Sequence, residues 1–161
     1  MKKGSVLSYI SAGLVLGLLS GCAGVQYLKG FTPGGEKVYI GPTDIRDTEA
    51  YRNYIYSSHS EAAKLNYLFE RLKLGESLYF YRDGNKYNWL EAYRGGKWLV
   101  RNRYNDGDNA REFAKKHIWH SDQTGKPHLV KFPDSSIHEG YYILLNELEL
   151  LESTAKEDGK S

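Results

Sequence analysis

Ser77-Leu78-Tyr79-Phe80-Tyr81-Arg82-Asp83-Gly84-Asn85 is the stretch that decides the fold class of this chain. Its first six residues are rich in aromatic side chains, a composition that favours an extended strand. The Asp-Gly pair that follows is typical of a tight turn between two strands. The stretch therefore predicts a strand over residues 77–82 that ends in a turn, and with it a small antiparallel sheet or hairpin.

A helix is predicted on the amino-terminal side of this strand. Ser58 and Glu61 have the spacing of a capping box, which marks the start of a helix. Apolar residues then follow at helical spacing until Gly75 ends the pattern: Ala62, Leu65, Leu68, Phe69 and Leu72. Nearer the amino terminus, residues 44–56 predict a tyrosine-rich helix and residues 37–40 a short strand.

The carboxyl-terminal side predicts three more helices and one strand. Residues 87–94 predict a short helix that Gly95-Gly96 breaks, and Asn109 with Glu112 caps a helix that ends near His117. Residues 128–132 fit a strand. An amphipathic helix over residues 141–151 follows from apolar residues at positions i, i+3, i+4 and i+7: Tyr141, Leu144, Leu145, Leu148 and Leu151. The fold class is therefore α+β, a small antiparallel sheet or hairpin packed with three to four helices.

The amino terminus has the pattern of a secretory signal. Lys2 and Lys3 precede an apolar run over residues 6–19, which is shorter than the ~20 apolar residues that span a bilayer. Leu19-Ser20-Gly21-Cys22 resembles the lipobox of bacterial lipoproteins. The resemblance implies that Cys22, the only cysteine, is lipidated and that the chain is cleaved before it. The anchored protein is then held firmly, because several acyl chains bind a membrane far more strongly than one.

This reading divides the chain into four segments. Residues 1–21 are a cleaved lipoprotein signal peptide, residues 22–36 a lipidated terminus and flexible tether, residues 37–152 a single α+β domain and residues 153–161 a polar disordered tail. In Gram-negative lipoproteins an Asp after the lipidated cysteine retains the protein in the inner membrane, and Ala23 stands there instead. The expected location is the cell envelope, at the outer membrane facing the periplasm rather than at the inner membrane.

Charge and composition exclude several classes of protein. The chain has 161 residues, 22 Lys plus Arg and 20 Asp plus Glu, and its single cysteine excludes an internal disulfide framework. Removal of residues 1–21 takes away Lys2 and Lys3, so that 20 basic residues face 20 acidic ones. The apparent basicity therefore belongs to the signal, and together with the envelope location it argues against a nucleic-acid partner.

Two segments resemble the uncharacterised YfeK-like periplasmic proteins of Gram-negative bacteria. Residues 80–87 followed by Glu91-Ala92 are similar to the family's Phe-x-Arg-Asn-Gly-x-x-Tyr … Glu-Ala signature, and residues 120–128 to its Ser-x-x-Ser-Gly-Lys-Pro-Tyr. The resemblance extends over roughly residues 62–151. It departs at residues 95–98, where Gly-Gly-Lys-Trp stands in place of the family's His-Leu, and at His128, which replaces Tyr. The family implies a small envelope protein and brings no catalytic residue.

Several catalytic and metal patterns fail on spacing. His117 and His120 lie at i and i+3 without the H-E-x-x-H pattern of zinc enzymes. Residues 105–109 are rich in oxygen donors, yet a calcium loop that starts at Asp106 puts His117 where a Glu belongs. Gly125-Lys126 lacks both the earlier Gly and the following Ser or Thr of a phosphate loop, and His120-Ser121-Asp122 are neighbours that cannot align as a hydrolase triad. No cofactor, metal or catalytic residue is predicted.

One stretch has the composition of a binding surface. Basic residues surround a tryptophan in residues 94–103: Arg94, Lys97, Trp98, Arg101 and Arg103. The anionic partners that an envelope location leaves are lipid phosphates, lipopolysaccharide or an acidic protein face. The alternative is a solvated helix or hairpin face with Trp98 packed into the core, and this alternative is the one favoured.

The expected function is a non-enzymatic, lipid-anchored lipoprotein that binds an envelope protein or a glycan such as peptidoglycan. An envelope hydrolase acting on peptidoglycan is the alternative from a different class, with His120, Ser121 or Glu91 as its test residues. An inhibitor or immunity-type lipoprotein is a further alternative.

Overall fold

A computed structural model describes residues 26–160 of the chain. The predicted signal peptide, the lipobox and Cys22 lie outside the described residues. Within the described part, the fold is α+β, as the sequence predicts. None of the helices there combines the length and the apolar character that crossing a bilayer requires.

The sheet has four antiparallel strands in the order β2-β1-β3-β4. The strands are β1 Tyr79–Arg82, β2 Asn85–Tyr87, β3 Leu129–Lys131 and β4 Ile137–Glu139. Asp83 and Gly84 join the first two strands with φ values of 53° and 81°. Two successive positive φ angles define a type I′ turn, so the Asp-Gly pair makes the turn that the sequence predicts.

Helices pack around this sheet in the described residues: α1 Glu49–Ile55, α2 Glu61–Arg71, α3 Trp89–Arg103, α4 Ala110–His117 and α5 Gly140–Glu157, with a short 3₁₀ helix over Leu72–Leu74. The apolar stripes of α2 and α5 form the centre of the core, where Leu65, Leu68, Leu148 and Leu151 are fully buried. The predicted caps hold in part. Asn109 caps α4, whereas Ser60 rather than Ser58 caps α2 by accepting from the backbone N–H of Ala63.

The prediction that Gly95-Gly96 breaks a helix is wrong, because α3 continues through both glycines. Gly96 is buried against the ring of Phe69, and a Cβ at residue 96 would lie only 2.0 Å from Phe69 Cδ1. A glycine therefore stands in this helix because two elements approach closely there, and tertiary packing overrides its low helix propensity.

The prediction of a disordered tail over residues 153–161 is also wrong for residues 153–158. Helix α5 reaches Glu157, and its buried stripe continues through Thr154 and Ala155, small residues that carry little hydropathy signal. Asp158, just beyond the helix, accepts hydrogen bonds from the hydroxyl of Tyr51 and from Nε of Arg46. The chain is thus fixed at Asp158 to α1 and the loop before it.

The predicted flexible tether over residues 22–36 is wrong for the part that the structure describes. Leu28 exchanges backbone hydrogen bonds with Ile137 and Glu139 and so covers the outer edge of β4. Asn146 of α5 donates to the carbonyl oxygens of Gly30 and Val38 at 2.7 Å and 3.0 Å. The packed unit therefore begins near Leu28 and extends beyond residues 37–152 on both sides.

Candidate functional site

A groove of about 250 Å³ lies between the sheet, α3 and the start of α5. Most of its lining is apolar or glycine. Helix α3 contributes Ala92, Gly95, Gly96 and Leu99, and α5 contributes Gly140, Ile143 and Leu144. The sheet adds Phe80, Leu129 and Val130, and the rest comes from Phe69 of α2, Leu72 of the 3₁₀ helix, Ile40 and Ile118. Tyr81, Arg82, Tyr87, Glu91 and His128 add polar groups to the lining.

The floor of the groove is one face of the sheet. Phe80 pairs with Tyr87 on one side and with Val130 on the other, and residues directly opposite in neighbouring strands point to the same face. Arg82 lies two residues after Phe80 and His128 two residues before Val130, so strand alternation brings both to that same face. The floor of the groove is therefore aromatic at Phe80 and Tyr87 and becomes polar towards Arg82 and His128.

Helix α3 forms one wall, and its glycine pair shapes it. Gly96 allows the helix to lie against Phe69, whereas a Cβ on Gly95 would meet nothing within 4 Å. Asn88 caps the helix in a reciprocal capping box with Glu91, whose Oε2 accepts from the backbone N–H of Asn88. The cap sets the start of α3 immediately after Tyr87, which places the first turns of the helix over the sheet.

His128 supplies a buried hydrogen-bonding atom at the polar end of the groove. Its Nε2 has no hydrogen-bond partner among residues 26–160. Burial and the nearby Arg82 guanidinium lower the pKa of His128, against opposing effects of Asp83 and of a hydrogen bond with the Ile118 backbone. Protonation of this ring is therefore disfavoured in the folded protein.

Asp83 connects the hairpin to the segment that leads into β3. Its carboxylate accepts hydrogen bonds from the hydroxyls of Thr124 and Ser121, the latter at 2.8 Å. These two bonds hold the pKa of Asp83 below its ordinary value, with Thr124 the larger cause. The turn between β1 and β2 is therefore in direct contact with the loop over residues 121–124, and the contact fixes the segment that leads to His128.

The predicted basic surface is only partly assembled. Arg94, Lys97, Trp98 and Arg101 share one face of α3 by helical periodicity, opposite the face that packs on the core. Arg103 lies on the other side, close enough to His117 to lower the pKa of that ring, although burial is the main cause. The favoured reading of a packed Trp98 is wrong, because 52% of Trp98 is exposed. Lys97 is partly engaged, since its Nζ donates to Asn66.

The remaining sequence candidates have structural partners. Ser121 Oγ donates to Asp83 and accepts from the backbone N–H of Gln123, and the ring of His117 packs on Phe113. In the loop over residues 105–109, Asp108 accepts from the backbone N–H of Asn105, and Asn109 caps α4. Among residues 26–160 no three His, Cys, Asp or Glu side chains are grouped so as to hold a metal ion.

Comparisons with protein-family models, with curated proteins and with solved structures find no match to this chain.

The groove itself is the feature that sequence reasoning missed. Residues 80–87, Glu91-Ala92 and His128 stood out in the sequence, yet their spacing was explained by turn geometry alone. The available signal was the pair Gly95-Gly96 between Ala92 and Leu99, which are at apolar positions of one helix. In a helix with this pattern, one glycine allows a neighbouring element to approach closely and the other leaves the facing wall open.

Proposed function

We propose that this protein is a lipid-anchored lipoprotein of the cell envelope that acts without catalysis and binds a partner protein through the groove. The observation that carries the proposal is the groove, an open concave surface with apolar walls and a few polar groups at one end. Such sites are the usual location of ligand and partner binding in proteins of this size. The two segments that resemble the YfeK-like family both contribute to it, which supports a shared role for them.

A protein partner suits the groove better than a glycan. Sugars present hydroxyl groups around most of their surface, and each hydroxyl that enters an apolar site without a hydrogen-bond partner loses free energy. The walls from α3 and α5 offer side chains of Ala92, Leu99, Ile143 and Leu144, which give no such partner. Protein interfaces, in contrast, bury a few apolar anchor residues in pockets of this kind.

The exposed face of α3 is an accessory surface in this proposal. Arg94, Trp98 and Arg101 lie beside the groove, on the solvent side of the helix that forms its wall. Charged residues at the rim of an interface mainly increase the rate of association with an oppositely charged partner. We therefore expect the partner to carry acidic residues around its anchor.

The lipid anchor is tested by Cys22→Ala. The variant is expected to leave the membrane fraction or to stay unprocessed, because the lipidated residue is gone. Membrane retention of a cleaved Cys22→Ala protein would overturn the anchor. Separation of inner and outer membranes of the wild type tests the predicted location, and recovery in the inner membrane would contradict the rule based on Ala23.

The binding function is tested by crosslinking in cells. A photo-reactive p-benzoylphenylalanine replaces Trp98, which is 52% exposed beside the groove, and a control replaces Tyr56, which is 87% exposed just after α1. Irradiation is expected to give a discrete protein adduct from residue 98 that is absent from residue 56. Adducts with peptidoglycan, or equal protein labelling from both positions, would overturn a protein partner in the groove.

A further inference from the structure

One surface of the folded unit lies next to the segment that leads from Cys22 into the fold. On the basis of the lipid anchor proposed above, we propose that this surface lies against the phospholipid bilayer and holds the domain in one orientation. The residues that contact lipid are Lys29, Phe31, Trp119, Tyr141 and Tyr142, and together they are called the membrane face.

The fold shortens the link between the lipid and the domain. The sequence predicts a tether over residues 22–36, whereas Leu28 is already fixed to β4 by two backbone hydrogen bonds. An extended chain spans at most about 3.6 Å per residue, so the link from Cys22 to Leu28 covers no more than about 22 Å, whereas the predicted tether covers about 54 Å. The edge of the sheet at Leu28 is therefore held close to the bilayer surface.

Phe31 is held outward in a closed loop beside this link, with 44% of the residue exposed. The backbone N–H of Val38 donates to the carbonyl oxygen of Gly30 at 2.9 Å, and that of Thr32 donates to Glu36 at 2.8 Å. These bonds fix the backbone on both sides of the ring. A single exposed ring is ordinary on a protein surface, but this ring lies within reach of the acyl anchor.

A cluster of three half-buried aromatic residues continues the surface from this loop. The ring centroid of Trp119 lies 5.0 Å from that of Tyr141 and 5.9 Å from that of Tyr142. Nζ of Lys29 lies 5.6 Å from the ring centroid of Tyr142 and so connects the cluster to the loop. Trp and Tyr favour a membrane interface because an apolar ring carries a polar group that stays wet, and a lysine extends its ammonium to the headgroups.

The charges beside the membrane face give no excess of positive charge. Lys29 and Lys37 are opposed by three carboxylates: Glu139 accepts from the indole N–H of the cluster, Glu149 pairs with Lys37, and Glu36 is exposed on the loop. Attraction to anionic lipid therefore contributes little, and the aromatic side chains carry the contact. A bilayer of neutral phosphatidylcholine is accordingly the right probe.

The sheet order keeps the groove away from this contact. Leu28 lies beside β4, and β2 is at the opposite edge, four strand spacings or about 19 Å away. Helix α3, which forms one wall of the groove, begins directly after β2. A domain held by the membrane face therefore presents the β2 side to the periplasm, where a partner protein can reach the groove.

The experiment measures the depth of nitroxide labels on the full lipidated chain in phosphatidylcholine nanodiscs. Acylation blocks the thiol of Cys22, so each label is attached to a single introduced cysteine. Pro33→Cys reports on the loop of Phe31, Lys86→Cys on strand β2, and Tyr56→Cys on an 87% exposed position just after α1.

The label at residue 33 is expected to show a severalfold higher ratio of collisions with oxygen to collisions with a water-soluble nickel complex than the labels at residues 56 and 86. Equal ratios at the three positions would overturn the membrane face, and an equally high ratio at residue 86 would overturn the single orientation. Low collision rates with both reagents at residue 33 would overturn the bilayer in favour of a second copy of the chain.

A matched pair of substitutions in the Pro33→Cys chain tests the ring. Phe31→Ser removes the exposed ring and should lower the collision ratio at residue 33 towards the value at residue 56. Tyr56→Ser removes a more exposed ring outside the membrane face and should leave the ratio unchanged. Both side chains are exposed, so the core is kept, and circular dichroism checks this. An unchanged ratio in Phe31→Ser would overturn the role of Phe31.

The mass of the purified chain separates failure of the membrane face from failure of the proposed function. An acylated chain with a protein adduct at residue 98 and a water-exposed label at residue 33 overturns only the membrane face. A chain without acyl groups overturns the lipid anchor, and the membrane face with it.

Discussion

Arg71 and Glu147 form an ion pair in the core in which neither side chain is exposed. Arg71 donates from Nε to Glu147 Oε2 at 2.8 Å and from Nη2 to Oε1 at 3.2 Å, and the backbone N–H of Ile40 donates to Oε1 at 2.7 Å. The pair joins the end of α2 to the middle of α5. Nη2 of Arg71 also donates to the carbonyl oxygen of Pro42, so the segment before α1 is held by the same two residues.

Removal of the charge at residue 147 should destabilise the protein strongly. In Glu147→Gln the guanidinium of Arg71 stays buried without a counter-charge, and breaking a buried pair in this way costs about 3–5 kcal/mol. The free energy of unfolding from urea denaturation measures the loss.

Glu149→Gln is the control on the same helix. Glu149 is 53% exposed and pairs with Lys37 at the surface, where such a pair contributes at most about 1 kcal/mol. A loss below 1 kcal/mol in Glu147→Gln, or equal losses in the two variants, would contradict the role of the buried pair.

The neighbouring glycines of α3 should respond in opposite directions to alanine. Gly96→Ala forces the Cβ against Phe69 and should cost about 1–3 kcal/mol or more, because the core has no space for it. Gly95→Ala meets no neighbour and should stabilise the helix by up to about 1 kcal/mol. Thermal and urea unfolding of both variants measure the difference. A stabilised Gly96→Ala would show that α3 does not lie against Phe69.

Stability should fall when the pH drops below neutral, partly through His138. Burial lowers the pKa of His138 from its ordinary value of 6.5, and Asp134 opposes this only in part. The unfolded chain therefore binds the proton more readily than the folded one, so stability present above pH 6.5 is lost as the pH falls through and below this value. Unfolding at pH 7.5 and pH 5.5 measures the loss.

His138→Gln should reduce this pH dependence, because the residue that titrates is gone. The two pH values compared, 7.5 and 5.5, both lie above the range in which Glu61 and Glu152 titrate, because the pKa values of these two groups are lowered from 4.5. A variant with the full wild-type dependence would assign the effect to other groups, among them His128, whose pKa is also lowered by burial.

Loss of the Asp83 carboxylate should loosen the loop before β3 without unfolding the core. Asp83→Ala removes the acceptor for Ser121 and Thr124, whose hydroxyls in turn accept from the backbone N–H groups of Gln123 and Lys126. Amide hydrogen exchange at these two residues should become faster, while exchange in α5 stays the same. Asp122→Ala, at an exposed position of the same loop, is the control, and equal exchange in both variants would rule out the link.

The sequence predicted those elements whose signals are local. The aromatic composition and the Asp-Gly pair were enough for β1 and the turn after it, and the apolar periodicity was enough for α2 and most of α5. Errors arose where a contact with another element outweighs the local preference. Gly95-Gly96 lies inside a helix because Phe69 needs the space, and the segment from Leu28 to Val38 is ordered by β4 and Asn146 rather than by its own composition.

The candidate site likewise has features that the sequence predicts and features that depend on contacts between distant residues. The sequence by itself determined the α+β class, the hairpin and the cap of α4, since neighbouring residues carry those signals. The lipobox prediction likewise depends only on neighbouring residues, and it stays a prediction. Only the tertiary structure decided that Phe80, Gly95 and His128 line one groove and that Arg71 meets Glu147. These residues lie far apart in the chain, and the free energy that joins them comes from burial and pairing between elements, which no local pattern records.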